Sequence, residues 1–334
     1  MTSTKKKVYV GLGIVISIVL LLFLFRDINF RELGSALAAA NYWWLLPNVI
    51  LVTLAMHQRA FRWKFMLNPI KQVPFGKLLS ATSIGFMANN VLPLRLGEFA
   101  RAYSLSFQDK DISKSASLAT IFIERMVFDL VMLLTIFGLV VYGSHLAMQS
   151  AMADGAIVAV VVALVGISFV LVLALKPEKS GRVIAMFFPF LSPETREKIV
   201  VTVMKFSKGL EFIKSPRDLG MVSMLTAILW FFMGLSNWFV FQAFGFDVPL
   251  TASFVLLVVV SVSILVPSSP GFVGVYHAGT VWTLYNYGID KEHALSFALV
   301  LHAAQYIPIT LMGFYYLRKS HLSLSKLEEQ STAD

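Results

Sequence analysis

Asn89-Asn90-Val91-Leu92-Pro93-Leu94-Arg95-Leu96-Gly97-Glu98-Phe99-Ala100-Arg101 sets a Pro, a Gly and three charges between long apolar runs. Charges and helix breakers inside apolar sequence are expensive in a bilayer, so they mark the places where membrane proteins keep their chemistry. The stretch sits within Gly76 to Ser106, flanked by Lys71 and Lys77 before and by Lys110 and Lys114 after. Cations on both flanks put both on the cytoplasmic side, and a segment that enters and leaves on one side is a re-entrant hairpin. Pro93 is expected in the first turn of the second half-helix, where a missing N–H costs nothing. Gly97 permits close backbone approach. Counted along a continuous helix, Arg95, Glu98 and Arg101 share one face.

The rest of the chain agrees with a membrane setting. Of 334 residues, 57% are hydrophobic and 14% charged, with a mean hydropathy of +0.75, far from the balance of a soluble domain. The class this predicts is an all-α polytopic membrane protein forming a single membrane domain over 1–334. The net charge of +9 belongs to cytoplasmic loops rather than to nucleic-acid binding, because the aromatic-basic interleaving of an RNA reader is missing. With no Cys there is no disulfide framework, thiolate metal site or cysteine nucleophile.

Toward the amino end, Lys5-Lys6-Lys7 precedes Val8 to Phe25, 18 residues without a charge that reach roughly 27 Å as a helix. Arg26, Asp27, Arg31 and Glu32 separate this run from Ala36-Leu37-Ala38, a gap too long and polar for a cleaved signal peptide, so an anchor with its amino end in the cytoplasm is expected. A second span covers Tyr42 to Trp63, from an aromatic belt at Tyr42-Trp43-Trp44 to His57, Arg59, Arg62 and Lys64. Arg59 and Arg62 lie one turn apart, either holding an anionic headgroup or snorkelling to the interface.

Toward the carboxyl end, Ser115 to Tyr142 carries Glu124, Arg125 and Asp129 near its middle. Arg125 and Asp129 are spaced to bridge. Glu124 points about 100° away on an α-helix, and Arg95 or Arg101 is its expected partner, in a network that is either functional or purely a packing device. The loop Gly143 to Gly155 lacks Lys and Arg and is expected outside; Ala156 to Leu175 then returns. Lys176 to Arg217 carries nine Lys and Arg and is expected in the cytoplasm. Within this 177–217 segment, Ser192-Pro193-Glu194 reads as a helix start. The amphipathic helix that follows lies on the inner leaflet or against the bundle.

Leu219 to Phe244 spans outward. Leu250 to Val266 is apolar until Pro267-Ser268-Ser269-Pro270-Gly271-Phe272-Val273-Gly274-Val275-Tyr276-His277 breaks it, and Ala294 to Leu317 forms the last span before a short cytoplasmic tail at 320–334. With both termini cytoplasmic, this second break belongs to a hairpin entering from outside or to a pair of short crossings. Pro93 to Gly97 and Pro267 to Gly271 share a P-x-x-x-G spacing. Two halves, about 1–150 and 151–320, each with three spans and a hairpin, make an inverted repeat of six spans and two re-entrant hairpins, as in many transporters.

Half-helix amino ends favour anions, and Arg contacts phosphate oxygens bidentately. The candidate substrate-binding residues are therefore Asn90, Arg95, Glu98 and Arg101 with Arg59 and Arg62. Glu124, Arg125 and Asp129 form an intramembrane charge network, and Pro267, Ser268, Ser269, Gly271, Gly274 and His277 form a second break. His277 is either a pH-sensitive gate or a packing residue. No P-loop, nucleophile elbow, nucleotide fingerprint or metal-ligand spacing occurs in the sequence, so no enzyme activity, metal or cofactor is expected.

Asn90-Val91-Leu92-Pro93-Leu94-Arg95-Leu96-Gly97-Glu98 with Arg101, Glu124-Arg125 with Asp129, and Pro267 to Gly274 together resemble the flippase-like membrane family typified by the transmembrane region of lysylphosphatidylglycerol synthase. The similarity covers nearly the whole chain, and Arg59, Arg62 and Trp63 match a basic-aromatic feature of that family. In its synthases a soluble aminoacyl-transferase domain follows; this chain ends at Asp334, so the resemblance implies the lipid-translocating part without the enzyme. Many members carry a Glu after the second break, where this sequence has His277. The resemblance implies a flippase-type transporter of a phospholipid or polyprenyl-phosphate-linked anionic lipid in a prokaryotic inner membrane. The other reading is an accessory subunit or membrane enzyme of lipid-linked glycan or phospholipid modification. The expected partners are an anionic membrane lipid, with a second copy of the chain or a lipid-modifying enzyme as the protein candidates, and no nucleic acid.

Overall fold

A computed structural model describes residues 3–143, 161, 164–166, 168 and 171–332. The outer loop expected at 144–155 and most of the span expected at 156–175 lie outside the described residues. Among the described residues the structure is all-helical, without a strand. In chain order the helices are α1 (Ser3–Phe25), α2 (Phe30–Ala39), α3 (Leu45–Leu67), α4 (Phe75–Val91), α5 (Gly97–Gln108), α6 (Lys114–Ile123), α7 (Leu130–Gly143), α8 (Pro177–Met186), α9 (Pro193–Lys208), α10 (Pro216–Ala243), α11 (Leu250–Ser263), α12 (Val275–Tyr285), α13 (Lys291–Lys319) and α14 (Leu324–Thr332).

Local sequence explains where these begin. Asn29 caps α2 by accepting from Arg31 and Glu32 N–H groups, Ser113 caps α6 and Asp290 caps α13 through the His293 N–H. Each cap satisfies donors that a helix start leaves orphaned. The sequence-derived start at Ser192 holds as well, with its hydroxyl accepting from the Thr195 N–H at 3.3 Å.

Among the described residues two helices, α10 and α13, combine the length and hydropathy needed to cross a membrane. A third crossing is added if the pair Val10–Phe25 and Phe30–Ala39, bent by 90°, is taken as one. That bend falls in the polar stretch after the first apolar run, at left-handed Asp27 (φ 60°). Two further expected spans are not single apolar helices: α3 bears Arg59, Arg62 and Lys64, and the stretch from α6 to α7 contains the charged turn of Glu124–Asp129.

The chain forms two compact units. One comprises Met1–His57, Thr82–Arg101 and Leu229–Asp334; the other comprises Gln58–Ala81 and Ala102–Ile228. Each draws on both sequence halves.

The core of the first unit gathers the carboxyl-terminal part of α10 with α11, α12 and α13. Phe241 packs against Phe297 with centroids 4.7 Å apart and the rings tilted by 33°, among fully buried Leu256, Leu284 and Leu301. Burial of such side chains contributes about 1.5–3 kcal/mol each against water; within a lipid phase their close packing is what fixes the arrangement. Asn48 of α3 adds a buried hydrogen bond to the Ser236 carbonyl at 2.8 Å.

In the second unit, Trp63 of α3 donates its indole N–H to Thr120 of α6 at 2.8 Å, and Gln58 donates to the Leu225 carbonyl at 2.7 Å. Helices α8 and α9 pair through Gly181, where an added β-carbon would stand 3.1 Å from Val200 Cα. Helix α9 also packs on α6.

Candidate functional site

The two breaks are built alike. In each, a Pro opens a one-turn 3₁₀ segment, Pro93–Arg95 or Pro270–Phe272, and the next two residues are left-handed: Leu94 (φ 65°) and Arg95 (φ 55°) in the first, Gly271 (φ 73°) and Phe272 (φ 60°) in the second. A Gly then starts or caps the following helix, Gly97 for α5 and Gly274 for α12. The shared geometry therefore aligns Pro93…Gly97 with Pro270…Gly274. The register expected from sequence, with Pro267…Gly271 as the second copy, is off by three residues because P-x-x-x-G occurs twice in that stretch. Left-handed Leu94 and Arg95 also correct the helical count. Arg95 belongs to the break and not to α5, so Arg95, Glu98 and Arg101 do not form one continuous helical face.

Each hairpin is closed by small residues. A β-carbon on Gly85 would lie 2.6 Å from Arg101 Cβ and 2.8 Å from the Gly97 carbonyl, and one on Gly97 would collide with Gly85 and Asn89. Buried Arg101 thus leaves α5 against Gly85 of α4. Asn89 secures the turn, accepting from the Gly97 N–H at 2.8 Å and donating to the Glu98 carboxylate at 3.3 Å. In the second hairpin, a β-carbon on Gly279 of α12 would strike Ser263 of α11.

Helix α1 holds the second break from the side. The Ser17 hydroxyl donates to the Val273 carbonyl at 2.7 Å, accepts from the Ser269 N–H at 2.9 Å and lies 3.0 Å from the Ser269 hydroxyl. Gly13, one turn earlier, admits the Ser268 backbone: a β-carbon there would be 2.8 Å from its oxygen. The sequence signal for this contact was available as small residues spaced four apart on the first span.

Between the breaks lies a cavity of about 200 Å³ lined by Val10, Asn89, Leu92, Pro93, Leu94, Arg95, Leu265, Pro267, Ser268, Ser269, Pro270 and Phe272. Arg95 and Phe272, which occupy equivalent positions in the two breaks, touch each other, with the guanidinium carbon 4.9 Å from the ring centroid. Stacking on an aromatic face orients a guanidinium while leaving its edge N–H groups directed to the sides. Left-handed non-glycine residues cost about 1–2 kcal/mol each, and such strain concentrates at ligand clamps.

The structure thus brings Arg95, Pro267, Ser268 and Ser269 to one cavity, with Glu98 bonded to Asn89 at its edge. Asn90 is turned to α13, donating to Thr310 at 2.8 Å while its carbonyl accepts from the Tyr306 hydroxyl at 3.3 Å. Gly271 lets the break rest on the same ring, since a β-carbon there would be 2.9 Å from Tyr306, and Gly274 (φ 90°) rests on Ser17. His277 is buried in α12, with its ring 4.9 Å from that of His302.

Arg59, Arg62, Glu124, Arg125 and Asp129 belong to the second unit. Arg62, fully buried, bonds Asp129 at 2.7 Å and Thr226 at 2.8 Å and pairs with Glu124 at 2.9 Å. Arg125 bridges Asp129 at 3.2 Å as its spacing predicts. Glu124–Asp129 is a π-helical turn. On an α-helix, residues five apart diverge by about 140°; the i to i+5 bonding of a π turn brings them to one side, so Glu124 and Asp129 both reach Arg62. Arg62 is a partner of Glu124 that the sequence had assigned to headgroups or to snorkelling, because it counted a regular α-helix through this turn.

Among the described residues no group of three or more His, Cys, Asp and Glu is arranged for a metal. Compared with known proteins, the chain matches the family model described as "Lysylphosphatidylglycerol synthase TM region" over residues 10–313. A UPF0104 membrane protein of Methanocaldococcus jannaschii is 24% identical over 249 residues, covering 72% of this chain and 98% of the relative. No solved structure gives a significant match.

Proposed function

Because the chain belongs to the family of the lysylphosphatidylglycerol synthase transmembrane region, we propose that it is a flippase-type transporter carrying anionic lipid headgroups across a membrane. The observation that supports this most is the cavity of about 200 Å³ between the two breaks, with Arg95 in its wall. Its size suits a phosphate group with a small substituent rather than a drug-sized ligand, whose pockets run from about 300 Å³. Its lining pairs one cation and three small polar side chains with leucines, prolines, a valine and a phenylalanine. A phosphate meets Arg95, Ser268, Ser269 and Asn89 while acyl or prenyl chains remain among apolar surfaces. Phospholipids and polyprenyl-phosphate-linked lipids share this chemistry.

In this reading the hairpin of α4 and α5 enters from the cytoplasm and that of α11 and α12 from outside, with both termini cytoplasmic in a prokaryotic inner membrane. The chain acts as a transporter rather than an enzyme. Cysteine labelling checks the topology, since the chain lacks native Cys. Lys77→Cys and Lys110→Cys should react from the same face, and reaction from opposite faces would contradict the hairpin.

The activity is tested in proteoliposomes by the accessibility of a labelled anionic phospholipid to a membrane-impermeant quencher. Wild type should speed its crossing, and Arg95→Ala and Glu98→Gln should slow it. For Arg95→Ala the expected loss is about tenfold or more, as for removal of a charge-assisted contact worth about 1.5–3 kcal/mol. Crossing at the same rate in protein-free liposomes, wild type and both variants would end the flippase reading.

A further inference from the structure

Behind the second break stands a set of rings that the cavity wall does not use. His302 of α13 stacks on Tyr276 with centroids 4.6 Å apart, meets the edge of His277 at 4.9 Å and lies 5.4 Å from Tyr306. It also hydrogen-bonds the backbone of Gly271, whose neighbours Pro270 and Phe272 line the cavity. Tyr276 is tied in turn, donating to Gln305 at 3.1 Å, which donates to Asn237 at 2.9 Å. One polar atom is left over. His277 is 4% exposed, and its Nδ1 has no hydrogen-bond partner among the described residues.

We propose that His277 and His302 form a proton-binding pair that takes up one proton when an anionic headgroup occupies the cavity beside Gly271. This rests on the headgroup-cavity reading and names its coupling ion. The argument is one of charge balance. An imidazolium buried without a counter-charge is costly, and among the described residues no carboxylate is paired with either ring. Leu229–Ala243 and α11 contain no titratable residue, α12 contributes Tyr276 and Tyr285, and α13 has no acid between Glu292 and its carboxyl end. Within the first unit α1 brings Lys5, Lys6, Lys7 and Tyr9, and α2 brings Arg31 and Glu32. The first hairpin brings Arg95, Glu98 and Arg101, with Glu98 bonded by Asn89.

An anion entering the cavity provides the missing charge one residue from the His302 contact. Two imidazoles 4.9 Å apart share one proton more readily than they hold two. Proton and headgroup then favour each other's binding by the same factor. The Gly271 backbone, left-handed and resting on Tyr306, carries the contact between the two sites.

The experiment uses the full chain in nanodiscs of phosphatidylcholine, with a water-soluble short-chain phosphatidylglycerol as the probe. Affinity is measured from about pH 8 down to about pH 5, and proton uptake is followed with an indicator dye in weak buffer. Wild-type affinity should rise on the order of tenfold on acidification, with about one proton taken up per lipid bound. His302→Gln and His277→Gln should each lose both effects, and either variant suffices if the other does not fold. A pH dependence that survives both substitutions would assign it to Glu98 or another group and overturn the proposal. Wild-type binding that is flat with pH also overturns it and leaves the cavity reading standing. Absence of binding at every pH overturns both.

Discussion

Two arginines, Arg62 and Arg95, sit in apolar sequence and look alike there, yet their surroundings differ. Arg62 is sealed in the second unit, its guanidinium held by Glu124, Asp129 and Thr226. Arg95 lies half-buried on the wall of a cavity in the first unit, resting on an aromatic face beside two serines. An intramembrane charge surrounded by opposite charge is a packing device, and its value lies in what its removal leaves behind. A charge set on a cavity wall by an aromatic plate and a strained turn is, in the function proposed above, placed for a ligand that comes and goes. A charged residue in a transmembrane sequence therefore says where to look, and its neighbours say which of the two it is.

The largest effect should come from the sealed region. Arg62→Met removes the buried cation that Glu124 and Asp129 share, with Arg125 still bridging Asp129, and should destabilise the protein by about 3–5 kcal/mol, read as a loss of thermal stability in detergent. Arg62→Lys should recover only part, because an ammonium cannot span both carboxylates as a guanidinium fork does. Unchanged stability in Arg62→Met would erase the contrast.

Next in size is the closure of the first hairpin. Gly97→Ala inserts a methyl group where Gly85 and Asn89 already touch and should cost about 1–3 kcal/mol or more, measured in the same assay. Gly34→Ala, at a glycine with open space around it, is the matched control and should change little.

Arg95→Ala should lower stability by less than about 1 kcal/mol while suppressing lipid movement, the reverse of the Arg62 pattern. Thermal scans and transport on one preparation separate the two.

The smallest effect lies outside the spans. Asp109 accepts from Lys71 at 2.7 Å and Lys77 at 3.0 Å. The hydrogen bond from Lys71, aided by Lys77 and opposed by burial, holds its carboxyl below the usual range. A folded-state value below the unfolded one means the contribution is present above the ordinary carboxylate value near ~3.9 and fades as pH falls through the folded value. Melting temperature should therefore fall toward acid more steeply in wild type than in Asp109→Asn.

Much of this was legible in sequence. The all-helical class, both breaks, the Arg125–Asp129 bridge and the helix start at Ser192 follow from apolar runs, Pro and Gly placement, i to i+4 spacing and capping chemistry. What escaped depended on backbone states that composition does not encode. The π turn at Glu124–Asp129 redirected Glu124, and the left-handed pair Leu94 and Arg95 took Arg95 off the helix. The repeat register slipped because Pro267 and Pro270 both stand four residues before a glycine. Ser17, Asn89 and Phe272 were missed since each gains its role only from a neighbour distant in sequence or from the turn it closes. The 90° bend at Asp27 and the amphipathic α2 hid in what looked like a polar linker.

The central claim is that the cavity between the breaks holds an anionic headgroup, and cysteine protection tests it most directly. Ser268→Cys, in a chain with no other cysteine, places a thiol on the cavity wall in place of a hydroxyl of similar size. Its modification rate by a small water-soluble thiosulfonate should fall on the order of tenfold when a short-chain anionic phospholipid is added. The zwitterionic analogue should protect far less, and Arg95→Ala in the same background should abolish the protection. Equal rates with and without the anionic lipid, or protection that survives loss of Arg95, would contradict the account.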